Sequence, residues 1–408
     1  MRRLIFLALL AFISPLRAED AKDNTLANSF NHTGMFLYYI MDKSSNTIIS
    51  PLSINASLVM AYMGARGQTA HEMASSLHLT LPQNQLGDAY RKMTSRMGSG
   101  VKLGTSLWVD KNASIIPSYQ TTIHEDFKGV IEKVDFMKPQ SAATKMDDWI
   151  NNHSGGKISR FIDPSSLGKS TKMVLLNTLF IQGSWQNPFP TQRSSGGQFK
   201  TSGGSIVNCR MMNQKSNLYY FEDQNTQIVA LPIEGLNSNT SFIVFLPKKE
   251  SAHLYNFYYA QDESKPQGFI SYLDKFEKKD INLTLPKFIV SQKLDLKPLF
   301  RSLGINAALN DNANFSGIDG KKDLLISQSI HESLLSIDEG GIFAAASSGV
   351  TFSLKSFRET DSPIEMNVNH PFLYAIYDFD TNLLLFLGEC LNPSEQSGPL
   401  SKEASASS

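Results

Sequence analysis

A few groups of residues in this 408-residue chain could support catalysis by type, but their spacing argues against it. Segment 168–170 reads Gly-Lys-Ser, like the end of a phosphate-binding loop, yet Asp163 stands where that loop needs its first glycine. The glycines between 98 and 104 have the wrong spacing for a dinucleotide-binding turn. His-Glu-x-x-His, Cys-x-x-Cys and Gly-x-Ser-x-Gly do not occur. The sequence therefore predicts no metal, no cofactor and no enzymatic activity.

The pattern of apolar residues predicts helices first and a large mixed sheet afterwards. Segment 53–66 follows Pro51 and ends at Gly67, as a helix would. Apolar and polar side chains alternate from 101 to 109, which predicts a strand with one buried face. Continuous apolar runs predict strands buried on both faces at 173–181, 242–246 and 383–387. We therefore expect an α+β fold.

Both ends of the chain differ from the rest. Residues 1–18 resemble a secretory signal peptide, with Arg2 and Arg3 at the start, an apolar run from Leu4 to Ile13 and Ala18 at the expected cleavage point. That run is too short to span a bilayer as a helix. We expect a secreted, extracellular protein with one domain from 19 to 393. Residues 394–408 are rich in serine and predict a disordered tail.

The 38 Lys and Arg residues balance 38 Asp and Glu residues, so the charge gives no footprint for nucleic acid or an anionic membrane. We expect a monomer.

Cys209 and Cys390 leave two alternatives open, one disulfide or two free thiols. Sequons in a secreted chain predict N-linked glycans, with Asn55 the weakest candidate because it falls in a predicted packed helix. The candidates are Asn31, Asn112, Asn152, Asn239, Asn282 and Asn314.

Segment 366–376, Met-Asn-Val-Asn-His-Pro-Phe-Leu-Tyr-Ala-Ile, resembles the C-terminal signature of the serpin family very closely. Further segments that resemble landmarks of this family lie at 46–54, 177–185, 285–288 and 314–318. Together they cover nearly all of the mature chain. The resemblance implies a serpin fold of three β-sheets and about nine helices, with an exposed reactive loop at about 339–362.

The resemblance also implies a function. In this family a protease attacks the reactive loop as a substrate and forms an acyl-enzyme. The cleaved loop then inserts as a new strand into the main sheet, and the protease is trapped before deacylation. We therefore expect a suicide-substrate inhibitor whose partner is a serine protease, held in a covalent complex without any cofactor.

An inserting loop must alternate between core and solvent along its length. Neither charge nor proline occurs from Gly340 to Leu354, so no inserted position would bury a charge or lack a ladder donor. Ile342 and Phe343 are bulkier than the family pattern. Phe343 would face solvent in the inserted strand, or pack on the body of the native protein. The hinge implied by the resemblance is Glu339, Gly340, Gly341, Ile342, Phe343, Ala344, Ala345 and Ala346.

The resemblance places the scissile bond sixteen positions after the hinge glutamate. Counting from Glu339 gives the bond between Lys355 and Ser356. Counting back from the C-terminal signature favours a later window and makes Arg358 the runner-up. Either residue would place a cation in the primary pocket of the protease, where a carboxylate would pair with it. A trypsin-like target is therefore expected.

Ser50, Ser53, Asn177 and His331 match the shutter of the family, a buried polar cluster beneath the main sheet. Such a cluster needs every polar group paired and helps to fix one packed state. Trp185 matches the breach, the point where insertion begins. The simpler interpretation makes His331 a core histidine and Trp185 a core aromatic.

Two functions remain open on these residues. The uncharged hinge favours the inhibitor, whereas Ile342 and Phe343 favour a non-inhibitory serpin that acts as a carrier, a storage protein or a chaperone-like protein. A chymotrypsin-like target that cuts after Leu354 or Phe357 is a weaker alternative to the trypsin-like one.

Overall fold

The computed structural model describes residues 16–237, 239–250, 268–343 and 362–395. Within these ranges there are eight α-helices, most of them in the first half of the chain. They are α1 Leu16–Ile40, α2 Pro51–Gly64, α3 Gly67–Ser76, α4 Gln83–Thr94, α5 Pro117–Glu125, α6 Pro139–His153, α7 Lys297–Ser302 and α8 Ser316–Asp319. Short 3-10 helices lie at Pro164–Ser166, Thr191–Arg193, Gly268–Lys275 and Ala307–Leu309.

Sixteen strands occur in the same ranges, mostly after α6. The first eight are β1 Thr47–Ile49, β2 Val101–Asp110, β3 Val130–Val134, β4 Met173–Ile181, β5 Gly183–Trp185, β6 Ser195–Lys200, β7 Ile206–Glu222 and β8 Thr226–Glu234. The others are β9 Thr240–Pro247, β10 Glu277–Pro286, β11 Phe288–Asp295, β12 Ile326–Ile337, β13 Gly341–Ile342, β14 Ile364–Asn367, β15 Phe372–Asp378 and β16 Leu383–Cys390.

The strands join into one hydrogen-bonded network with three parts. The main sheet has the order β3-β2-β4-β12-β11, and β5 and β13 extend it at one end. The second part has the order β1-β16-β15-β9-β8, and the third contains β6, β7, β10 and β14. The long strand β7 links the second and third parts, and the pair β5–β8 links the main sheet to the second. The three expected sheets are thus three regions of a continuous network.

The seam between β4 and β12 organises the site described below. These strands pair directly and in parallel, with Asn177 opposite His331 and Thr178 opposite Glu332. The inner face of the main sheet packs on α2, and the outer face is covered by α6. Every residue of β4 is buried, as its continuous apolar run predicts for a strand covered on both faces.

Helix α2 is buried on nearly all sides, which suits its almost wholly apolar sequence. Ser50 caps its N-terminus by accepting a hydrogen bond from the Ser53 N–H, and Pro51 occupies the first turn, where its missing donor costs nothing. The predicted strands are confirmed as β2, β4, β9 and β16, and so is the α+β class. For β2 the expectation of a single buried face is wrong, because consecutive residues from Gly104 to Val109 are all buried. The predicted helix is confirmed with its start at Pro51 and its end at Gly64.

The two segments predicted at the chain ends lie mostly outside the described residues. Residues 1–15 of the predicted leader and 396–408 of the predicted tail belong to that part, and α1 starts at Leu16. Within the described ranges, no helix combines the length and apolarity that crossing a bilayer requires.

Candidate functional site

The predicted reactive bond lies outside the described residues. This applies to Lys355, to Ser356 and to the runner-up Arg358, as well as to the hinge alanines 344–346. The structure describes hinge residues 339–343, which precede the predicted reactive bond, and β14, which follows it. The geometry of the site is therefore that of the hinge and of the sheet beneath it.

The hinge starts with a tight turn at Asp338. Its carboxylate accepts hydrogen bonds from the N–H groups of Gly340 at 2.8 Å and Gly341 at 3.1 Å. Burial raises the pKa of Asp338, and the two backbone hydrogen bonds oppose that shift. The sequence interpretation missed this residue, although an Asp two positions before a Gly-Gly pair is a recognised signal for such a turn.

Glu339 is anchored more loosely than Asp338. Its carboxylate lies 3.9 Å from the Lys287 ammonium and 4.0 Å from the Arg210 guanidinium. Its carbonyl accepts a hydrogen bond from the Phe189 N–H at 2.9 Å. The side chain therefore lies between two cations at the limit of ion-pair distance, beyond hydrogen-bonding range, and the backbone contact fixes the position of the residue.

The hinge then enters the main sheet as β13. Gly341 pairs with Ser184 and Ile342 with Gly183 on β5, while Ile342 also pairs with Ile337 on β12. Ile342 is fully buried. Gly341 has φ of +151°, and a Cβ there would lie 2.2 Å from the Gly183 carbonyl oxygen, so the close approach of the two backbones requires glycine.

Trp185 holds this turn from β5. Its indole N–H donates to the Asp338 carbonyl at 2.8 Å, and its backbone N–H donates to the Gly340 carbonyl at 2.9 Å. The ring is buried and packs against Phe189 and Phe242. Both N–H groups of Trp185 thus bind the first residues of the hinge.

Phe343 is the last hinge residue that the structure describes. Its backbone has φ of +46°, and its half-buried ring lies 5.1 Å from the ring of Phe180. The N–H of Phe343 donates to the Ser336 carbonyl, and its own carbonyl accepts from the Gln182 side chain, both at 3.1 Å. Of the two placements considered for this side chain, the structure has the one in which it packs on the body of the protein.

The four shutter residues come together beneath the seam. His331 Nδ1 lies 2.6 Å from Asn177 Oδ1, which also accepts from the Ser53 hydroxyl at 3.2 Å. The Ser50 N–H donates to His331 Nε2 at 3.0 Å. Because Asn177 is on β4, His331 on β12 and both serines at the start of α2, the cluster ties both sides of the seam to one helix.

The hydrogen-bond partners assign the protonation state of His331. Nδ1 faces the carbonyl oxygen of Asn177 and so carries the proton, while Nε2 accepts from the backbone of Ser50. Burial lowers the pKa of His331 to about 3 from its ordinary value of 6.5. A neutral imidazole with both nitrogens paired therefore sits at the centre of the cluster.

Two further serines belong to the cluster and were missed from the sequence. The Ser57 hydroxyl accepts from the Asn177 amide at 3.1 Å, and the Ser333 hydroxyl lies 2.7 Å from His331 Nε2. Both follow from periodicity. Ser57 is four residues after Ser53 on α2, and Ser333 is two residues after His331 on β12, so each shares a face with a predicted member.

Glu332 lies on the opposite face of β12 and was also missed. It is fully buried, and neither of its carboxylate oxygens has a hydrogen-bond partner among the described residues. Burial raises the pKa of Glu332 well above its ordinary value, and the nearby Lys293 ammonium and Ser291 hydroxyl oppose this only in part. A carboxyl group that accepts no hydrogen bond from the described residues therefore lies beside the seam.

The structure separates the sequon asparagines by exposure. Asn31 is buried, its amide donates to the Asn382 carbonyl and its oxygen accepts from the Leu384 N–H. A glycan on that nitrogen would displace this packing, so Asn31 is corrected from a glycan candidate to a structural residue. Asn112, Asn152 and Asn239 are exposed, Asn282 and Asn314 are half-buried, and the weakest candidate, Asn55, is buried.

Of the two alternatives for the cysteines, the structure has free thiols. Cys209 on β7 is half-buried and Cys390 on β16 is buried. Burial raises the pKa of both thiols, so neither is in the thiolate form that reacts. The fold is held by its core and its sheets in the absence of a disulfide.

Comparison with known proteins agrees with this geometry. The family model described as Serpin (serine protease inhibitor) matches residues 28–393. A curated relative named Serine protease inhibitor, from Cyanea capillata, is 31% identical over 356 residues, which cover 86% of this chain and 93% of the relative.

Solved structures show the same fold. The insect Serpin48 of Tenebrio molitor matches with a TM-score of 0.77 and 25% identity, over 91% of this chain and 98% of that one. Human thyroxine-binding globulin, solved with its ligand, matches with a TM-score of 0.77 and 23% identity, over 94% of this chain and all of that one. The second likeness concerns the fold alone.

Proposed function

Since the chain belongs to the serpin family, we propose that it is a secreted suicide-substrate inhibitor of trypsin-like serine proteases. Serpins are generally protease inhibitors and act as substrates that trap, rather than as catalysts. The observation that supports this proposal most is the position of the hinge. β13 already lies between β5 and β12, at the end of the seam where a new strand would have to enter.

The proposed reaction begins as ordinary proteolysis. The serine hydroxyl of the protease attacks the carbonyl carbon of Lys355, an ester bond forms and the amide bond to Ser356 breaks. The proton of the hydroxyl leaves with the new amine of Ser356. The lysine side chain would be held by a carboxylate at the base of the protease pocket, which is why a trypsin-like target is proposed.

Trapping would follow if the freed segment entered the seam. Insertion exchanges the single β4–β12 interface for two new ones, and each new ladder hydrogen bond contributes about 0.5–1.5 kcal/mol net. With burial of one face of the segment, insertion would release on the order of 10–20 kcal/mol. Such a release is large enough to displace an attached protease and distort its active site.

The secreted location rests on the N-terminal sequence. Residues 1–18 have the charged start, apolar run and small residue of a signal peptide. On that basis we propose N-linked glycans at the three exposed sequons, Asn112, Asn152 and Asn239. We also propose that the protein is a monomer whose partner is the protease.

Incubation with trypsin followed by denaturing gel electrophoresis tests the proposal. A band with the summed mass of both proteins that survives denaturation is the expected result. Replacing the cleaved residue should abolish this band, so Lys355→Ala should lose it, and the matched variant Arg358→Ala should keep it. The reverse pattern would move the reactive bond to the runner-up. Clean cleavage without any complex would contradict the inhibitor.

One observation favours the alternative, a non-inhibitory serpin such as a carrier. The two bulky hinge residues are docked on the body of the protein, Ile342 in the core and Phe343 against Phe180. A firmly docked hinge would delay insertion until the acyl-enzyme had hydrolysed. Cleavage of this chain without complex formation would favour that function.

A further inference from the structure

We propose that Phe343 and Phe180 form a latch that holds the hinge in its present register and slows insertion of the cleaved loop. This inference rests on the proposed function and adds two residues that set how often a cleaved molecule traps its protease. The turn at Asp338 is bound by other groups, namely the Trp185 indole and the N–H groups of Gly340 and Gly341.

The backbone at Phe343 marks where the pairing of the hinge with β12 ends in the described residues. The Phe343 N–H still donates to the Ser336 carbonyl, one position along from the pair of Ile342 with Ile337. The φ of +46° then takes the residue out of the extended conformation. A bulky side chain rarely adopts this conformation, which persists only when surrounding contacts compensate for its cost.

The ring of Phe343 supplies such a contact. It lies 5.1 Å from Phe180 at an interplanar angle of 37°, and it packs against apolar residues on both faces of the main sheet. Aromatic pairs at this separation are stabilising beyond their burial. The Gln182 side chain adds a hydrogen bond to the Phe343 carbonyl.

Phe180 is held in place by its strand and by packing, so the Phe343 ring contacts a side chain of fixed position. It belongs to β4, where it is buried, and its ring lies against the turn that follows α6. A Cβ at Gly155 in that turn would meet the ring at 3.0 Å. The Phe343 ring is thereby held on the strand that forms one side of the seam.

Insertion beyond Ile342 requires the latch to open. An inserted strand is extended, with φ near −140° in an antiparallel ladder, so Phe343 must rotate out of the left-handed region. Rotation out of that region breaks the contact with Phe180 in its present geometry. The contact therefore stabilises the uninserted hinge and opposes the first step of insertion.

The test compares Phe343→Ala and Phe180→Ala with the wild type and with Tyr219→Ala, a matched loss of an exposed ring on β7. The readout with trypsin is the ratio of trapped to cleaved molecules together with the association rate. We expect the ratio to rise about two- to tenfold in both latch variants, as loss of one aromatic pair predicts. The association rate and the Tyr219 control should not change.

Hydrogen exchange on the uncut proteins gives a readout that does not depend on inhibition. Exchange of the Phe343 amide should accelerate about two- to tenfold in Phe180→Ala, because the ring no longer holds that residue against Ser336. A wild type that traps trypsin, with an unchanged ratio in both variants, would overturn the latch and leave the proposed function intact. If the wild type traps no trypsin, the proposed function fails, and unchanged exchange would then overturn the latch as well.

Discussion

His331 and Glu332 are neighbours on β12, both fully buried, yet their polar atoms are treated in opposite ways. On the inner face of the sheet, both nitrogens of His331 are paired with Asn177 and with Ser50. On the outer face, neither oxygen of Glu332 has a partner within the described residues. The seam between β4 and β12 is thus stabilised by hydrogen bonds on its inner face. On its outer face it contains a carboxyl group that has no hydrogen-bond partner among the described residues.

This difference shows how a folded sheet can keep a low barrier to the separation of two of its strands, β4 and β12. A satisfied polar network favours one packed arrangement and resists separation of β4 from β12. A buried carboxyl without partners destabilises the same closed arrangement, since its lost hydration is not replaced. A seam with only the first feature would be stable and inert. The predictions that follow alter one face at a time.

The largest effect is expected from breaking the inner face. Asn177→Ala removes the acceptor for His331 and Ser53 and the donor to Ser57, leaving buried groups unpaired. We expect the free energy of unfolding to fall by about 3–5 kcal/mol. Urea denaturation followed by circular dichroism measures this. Ser333→Ala, which removes one peripheral partner, serves as the control and should cost clearly less.

The next largest effect is expected from a fall in pH, which should destabilise the protein through His331 on the inner face of the sheet. The folded pKa of His331 is about 3 against 6.5 for an unperturbed histidine, so the unfolded chain binds a proton that the native chain does not. The stability from this residue is therefore fully present above pH 6.5 and is lost as pH falls toward 3. By pH 4 the loss should reach about 3 kcal/mol.

Denaturation curves between pH 4 and pH 7 check this prediction, with His331→Gln as the comparison. The variant cannot take up the proton, so its free energy of unfolding should change less over this interval than that of the wild type. Parallel curves for the two proteins would show that His331 is not the group responsible.

A substitution on the outer face should raise the free energy of unfolding, and by less than Asn177→Ala lowers it. Glu332→Leu removes the unpaired carboxyl and should raise the free energy of unfolding by about 1–3 kcal/mol. A more stable closed seam should also trap a smaller fraction of trypsin. The control is Glu132→Leu on the edge strand β3, where the carboxylate is exposed. A destabilised Glu332→Leu protein would contradict the interpretation of this residue as a strained group.

The pH dependence of Glu332 has the opposite sign to that of His331. Burial raises its folded pKa well above the ordinary 4.5, so the native chain keeps a proton that the unfolded chain releases. The stability linked to this proton is present below 4.5 and is lost as pH rises toward the folded value. The two neighbours thus limit stability from opposite ends of the pH range.

Periodicity and resemblance predict the sheet and most of the shutter, because both depend on which face of an element a residue occupies. β4 follows from one apolar run, and His331 from its match to the shutter of the family. The missed members Ser57 and Ser333 obey the same periodicity. Sequence patterns therefore describe well what is set by position along a single element.

The sequence could not predict what depends on contacts between distant elements. Nothing local shows that Phe343 adopts a left-handed backbone, since this depends on Phe180 and on the carbonyl of Ser336. The burial of Glu332 depends on the neighbouring strands β4 and β11, which its own segment does not reveal. A glutamate in a strand ordinarily indicates a solvated position, and packing within the sheet reverses that expectation.

The melting temperature before and after cleavage by trypsin tests the central claim, that the seam between β4 and β12 can open and accept the cleaved loop. The measurement uses the purified cleaved chain, separated from any covalent complex. If the loop inserts, the added strand and its hydrogen bonds should raise the melting temperature by tens of degrees. An unchanged or lower melting temperature after complete cleavage would contradict the claim, because the seam would then have stayed closed.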